Sequence, residues 1–149
     1  MGLQIATITN SIAALSISGV TIKDKDELRE GWTAYDCPLL TPLPNNFVSG
    51  ISVTPRSMSS GAGRQLDVSY TLTYRYFHAP VGSGNLAQTW SDMVDKVFAI
   101  FDAILANDKL NGLIDLSLSS VSEFGVVVDG ANNQYHGCDI ALRVMEFVN

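Results

Sequence analysis

From Asn85 to Gly112 the chain carries Leu86, Trp90, Met93, Val94, Val97, Phe98, Phe101, Ile104 and Leu105 at spacings of three and four, the period of one helix face. The intervening Gln88, Asp92, Asp95, Lys96, Asp102 and Ala106 are polar or small, so the segment reads as one long amphipathic helix. Asn85 suits the N-cap, and Gly112, after Asn111, suits a left-handed stop. About twenty residues at ~1.5 Å each span roughly 30 Å, enough to cross a small sheet. A helix with one apolar face needs a surface to lie on, and the nearest candidate is directly upstream. Leu66 to Tyr76 alternates Leu, Val, Tyr, Leu, Tyr and Tyr with Asp, Ser, Thr, Thr and Arg, the period-2 pattern of a half-buried strand. The two elements are expected to share a core, with Trp90, Val94, Val97 and Phe101 packed onto Leu66, Val68, Tyr70, Leu72 and Tyr74.

The remaining segments fit around this pair. Leu3 to Leu15 sets Ile5, Ile8, Ile12 and Leu15 on one face and reads as a short first helix ended by Gly19, with Val20 and Ile22 extended after it. Lys23 to Glu30 is a mixed-charge cluster that reads as a solvated loop or helical turn. Cys37 to Pro44 contains three prolines that withhold backbone donors, which argues against a central strand and for a segment at a sheet edge. A strand begins near Val48. The Ser/Gly-rich Arg56 to Arg64 then reads as the protruding tip of a hairpin leading into Leu66.

Phe77 to Gly84 is rich in breakers and reads as a connection; its Gly82-Ser83-Gly84 matches neither nucleotide-binding fingerprint. After Gly112, Ile114, Leu116 and Leu118 alternate with polar residues, and Phe124 to Val128 continues in extended form past a bend. Asp129 to Gln134 is dense in turn formers. Tyr135 to Val148 closes the chain as a strand with Ile140, Leu142 and Val144 on one face. Its other face, Ala141, Arg143, Met145 and Phe147, is too apolar for exposure along its whole length. The expectation is an α+β fold, a single domain over residues 1–149. It comprises a mainly antiparallel twisted sheet of about four to five strands, with the long helix and the short N-terminal helix packed on one face.

Composition narrows the classes of function. With 149 residues, 46% hydrophobic, the chain suits one domain with a real core. No basic-then-apolar leader precedes residue 22 and no apolar run approaches a membrane span, so a protein made and soluble in a cytoplasm is expected. Cys37 and Cys138 stand a hundred residues apart and read as buried thiols, not a metal knuckle or disulfide framework. The net charge of −6 is uneven: through Arg75 six basic residues balance six acidic ones, whereas from Tyr76 three basic residues face nine acidic ones. That balance disfavours tight binding to phosphates, whose affinity comes from Lys and Arg.

Catalytic chemistry is hard to place in this sequence. Its two histidines, His78 and His136, fall in expected loops, with no nucleophile elbow, no H-E-x-x-H and no linked nucleophile. Asp92, Asp95 and Asp102 lie on the polar side of the long helix, where solvation accounts for them. The chain is therefore not expected to be an enzyme, and no catalytic residue, cofactor or metal is assigned.

The order of short helix, Pro-rich segment from Cys37 to Pro44, hairpin with a loose tip from Arg56 to Arg64, the run Val68-Ser69-Tyr70-Thr71-Leu72-Thr73-Tyr74, long helix and closing strands ending at Val148 resembles the tail terminator proteins of long-tailed bacteriophages. The resemblance implies a homo-hexameric ring that caps the tail tube, joins it to the head connector or stopper protein, and lets DNA pass without specific binding or any membrane. It implies a place in the virion tail or neck, with the host cytoplasm as the site of assembly. Arg56, Arg64, His78, Met145 and Phe147 are then candidates for the contacts between subunits. The acidic excess would keep unassembled subunits soluble and give passing DNA a repulsive lumen. Other phage neck or tail-completion proteins share this size and architecture, and a cytoplasmic α+β binding or adaptor domain is a further alternative.

Overall fold

In the computed structural model the chain forms α1 (Ile5–Ala13), β1 (Thr21–Ile22), β2 (Leu39–Pro42), β3 (Val48–Pro55), β4 (Leu66–Pro80), α2 (Leu86–Ala106), β5 (Ile114–Val128) and β6 (Gln134–Val148). The structure describes residues 4–17, 19–23, 37–43, 47–55, 66–82, 86–107 and 112–148, with backbone alone at 55, 86–87, 116–118, 123 and 147–148. The hairpin tip, the Lys23 to Glu30 cluster beyond Lys23, and Asn85 as N-cap fall outside these residues.

One sheet of six strands runs β1-β2-β4-β6-β5, with β3 also paired to β4. This is an α+β architecture, and the sheet is larger than the four to five strands expected. The surplus comes from β1 and β2. The prolines of the Cys37 to Pro44 segment had argued for an edge, yet β2 is buried throughout and lies between β1 and β4. A proline withholds a donor but keeps its carbonyl, and Pro38 accepts from Thr21 N–H at 2.9 Å while Leu40 accepts from Lys23 N–H at 2.9 Å. Pro42 sits at the strand's end, where its missing donor matters least. β1 pairs in parallel with β2; every other pairing is antiparallel.

β4 is longer than its sequence pattern. It runs through Phe77, His78 and Ala79 to Pro80, passing a register shift between Phe77 and Ala79, so both His78 and His136 lie on strands and not in loops. The expected pair of strands after Gly112 is one strand, β5, bent by register shifts between Asp115 and Ser120 and between Ser122 and Gly125. Gly112 has φ 77°, the left-handed geometry expected of it, although α2 itself ends six residues earlier at Ala106. There Asn107 folds back, its backbone N–H reaching Ala103 O at 3.2 Å and its side-chain Nδ2 at 2.8 Å.

The core lies between one face of the sheet and the two helices. Val68, Tyr70, Leu72, Tyr74 and Tyr76 of β4 and Cys138, Ile140, Leu142 and Val144 of β6 meet Ile8 and Ile12 of α1 and Met93, Val97, Ile100 and Ile104 of α2. This corrects the expected helix contacts. Val97 is buried and Phe101 packs partly buried against the core as expected, but Trp90 is half exposed and Val94 exposed, because the helix presents a neighbouring stripe to the sheet. Phe47 stacks edge-on against Tyr74 with ring centroids 5.4 Å apart.

The reverse face of the sheet is mostly polar. Arg75 makes a two-pronged pair with Asp139 at 2.7 and 3.1 Å, and Arg143 donates to Ser69 Oγ at 2.7 Å and Thr71 Oγ1 at 3.4 Å. At one end of that face Leu39, Phe77, Val127 and Tyr135 form a small second core, with Phe77 edge-on to Tyr135 at 5.3 Å. Among the described side chains, the expected apolar face of β6 shows half-buried Ala141 and exposed Met145, while the guanidinium of Arg143 lies among hydroxyls.

Candidate interaction surface

The apolar residues of α2 form two adjacent stripes, only one of which the core consumes. At about 100° per residue the stripe read from the sequence spans roughly 140° of the helix circumference, wider than a core-facing face requires. Met93, Val97, Ile100 and Ile104 are buried; Trp90, Val94, Phe98 and Leu105, centred roughly 90° round, are exposed, Phe98 at 63%. Beside them runs β5, the last strand of the sheet, with Phe124, Val126 and Val128 exposed at 46%, 56% and 39%. Val126 and Val128 stand opposite His136 and Gln134, on the helix side of the sheet. Trp90, Val94 and Phe124 line a shallow cleft of about 190 Å³.

Exposed apolar residues also appear at the opposite edge. On β3, Ile51 is 57% exposed and Val53 52% exposed. Gly50, at φ 62°, marks the bulge between Ser49 and Ser52 that bends this strand. A second cleft, of about 230 Å³, opens between Thr54, Asp67, Ser69, Met145 and Glu146. Exposed apolar groups thus stand at two edges of the sheet, on β5 and on β3.

No protein-family model and no curated protein matches this chain.

Of the residues singled out in the sequence, the structure brings few together. Arg56 and Arg64 lie outside the described residues, as does the side chain of Phe147. Met145 is exposed on the reverse face and lines the second cleft. His78 is half-buried at the other end of β4, its Nδ1 2.7 Å from the Tyr76 hydroxyl. Burial holds the His78 imidazole below its ordinary pKa; Lys96 and His136 add to that shift and Asp92 opposes it. Burial also pushes the Tyr76 hydroxyl well above its ordinary range and the Cys138 thiol up to about 12, so both stay protonated. Among the described residues no three His, Cys, Asp or Glu side chains are placed to share a metal ion. Asp92, Asp95 and Asp102 are exposed, Asp92 accepting from Gln88 Nε2 at 2.9 Å.

Sequence reasoning missed the outer stripe itself. A helical period places Trp90 and Val94 with the core because it counts apolar residues without saying where the sheet lies. The excess width of the stripe was the available signal.

Proposed function

We infer that this chain is a ring-forming structural subunit of a bacteriophage tail, a tail terminator that caps the tail tube and joins it to the head connector. The observation that carries this reading is the pair of unpartnered apolar patches, Trp90, Val94, Phe98, Phe124 and Val126 at one sheet edge and Ile51 and Val53 at the other. Two unlike patches on opposite sides of a subunit favour head-to-tail association, which closes into a ring when the rotation between copies permits. The element order that resembles tail terminators supports the same reading, as does the acidic excess that begins at Tyr76. The polar centres, Tyr76 with His78 and Arg75 with Asp139, serve the packing of strands and suit a structural role.

Complementation tests the proposal. In the phage that carries this gene, deletion should leave tails of irregular length that do not join heads, and the gene supplied in trans should restore joined particles in stained images. Normal, head-joined tails after deletion overturn it.

A further inference from the structure

We propose that the β5 edge, with the cleft between Trp90, Val94 and Phe124, receives the β3 edge of a second copy of this chain, so that the sheet continues from one copy to the next. Among the described residues β5 has one neighbour, β6, and β3 has one, β4, so each presents a row of backbone donors and acceptors along its outer side. Addition of a strand to such an edge supplies main-chain hydrogen bonds, while alternate side chains find apolar pockets.

The apolar residues of the two edges are matched in face as well as in kind. Val53 stands opposite Val68 of the helix-side core, and Ile51 precedes it by two residues beside the bulge. Val126 and Val128 are on that same helix side, and Phe124 joins Trp90 and Val94 there. Pairing β3 of one copy with β5 of the next sets Ile51 and Val53 next to Phe124 and Val126, under the outer stripe of α2. Charge favours the same contact. The sequence from 37 to 65 holds Arg56 and Arg64 and no carboxylate, whereas 86 to 129 holds seven carboxylates and two lysines. Because the two edges differ, the contact is heterologous and propagates; its closure into a ring rests on the reading given above.

The test uses Val53→Cys and Val126→Cys, each in a Cys37→Ser background with Cys138 left in place because it is buried. Mixing the two proteins and adding a short flexible bis-maleimide should give a linked pair that neither protein gives alone. Val126→Lys should abolish the assembled species in size-exclusion chromatography with light scattering while its thermal unfolding stays within a few degrees of the parent. Linked pairs in closed rings uphold both readings; linked pairs in open filaments uphold the edge pairing and overturn the ring. Assembly with no mixed link, or with links between like edges, overturns the edge pairing and leaves the ring standing. A chain that stays monomeric at its highest soluble concentration also overturns the edge pairing, and the ring then answers to complementation alone.

Discussion

Glu146, near the end of the last strand, accepts the backbone N–H of Gln4, 142 positions away, at 3.0 and 3.1 Å from its two carboxylate oxygens. Gln4 is the N-cap of α1, which has no side-chain cap and no acidic residue in its first turn. The carboxylate therefore supplies from β6 what the helix lacks locally: an acceptor for an orphan N–H and a negative charge at the positive end of the helix. The Tyr70 hydroxyl donates to the same carboxylate, and burial, that hydrogen bond and the carboxylate's charge push the phenol's pKa well up, so it stays protonated.

Tyr70→Phe removes one donor and leaves a buried carboxylate short of a partner, so it should cost about 1.5–3 kcal/mol. Urea unfolding followed by circular dichroism measures this. Hydrogen exchange should also show faster opening of α1 than of β4 in the variant.

The two stripes of α2 predict opposite outcomes for similar truncations. Ile100→Ala opens a cavity in the helix–sheet core and should cost about 2–5 kcal/mol. Phe98→Ala, at an exposed position, should change stability by no more than about 0.5 kcal/mol in the unassembled chain. Equal losses for the two would place the core on the wrong side of the helix.

Gly137 permits the close approach of β4 and β6. A Cβ there would lie 2.1 Å from the Tyr76 carbonyl oxygen and 2.7 Å from Val127 Cγ2, both on paired strands. Gly137→Ala should cost roughly 3 kcal/mol, at the upper end for overpacking, because backbone and not a flexible side chain must give way. A melting temperature within a degree or two of the parent's would show that the ladder has slack.

Stability should fall as pH drops below about 6.5, with His78 contributing. Its folded-state pKa is lowered from 6.5 by burial, so the unfolded chain binds the proton first. The contribution is present above 6.5 and is lost as pH falls toward the folded-state value. His78→Gln should flatten the slope of melting temperature between pH 7 and 5.5; an unchanged slope would assign the titration elsewhere.

Purified protein should bind duplex DNA weakly at physiological salt and with a shallow salt dependence, since nine acidic residues outnumber three basic ones from Tyr76 onward. Fluorescence anisotropy over a salt series reads this directly. Tight binding with a steep slope would contradict a lumen that DNA traverses.

The elements were legible in the sequence wherever a side-chain period reported burial on one side. The alternation from Leu66 to Tyr76 marked β4, the three-and-four spacing marked α2, and Ile140, Leu142 and Val144 marked the buried face of β6, because each element has one wet and one dry side. A period cannot say which element supplies the dry side, nor how much of a wide stripe it covers. That Trp90, Val94 and Phe98 stay outside while Met93, Ile100 and Ile104 go in depends on how α2 is rotated about its own axis against the sheet. That the proline-rich β2 sits inside, flanked by β1, depends on a two-residue strand, with Thr21 and the following Lys23 donating to Pro38 and Leu40. The cap that Glu146 gives α1 joins the two ends of the chain and leaves no local trace. The sequence by itself settled which residues want to leave water; only the tertiary structure decided which of them succeed, because burial is a property of neighbours brought together from far along the chain.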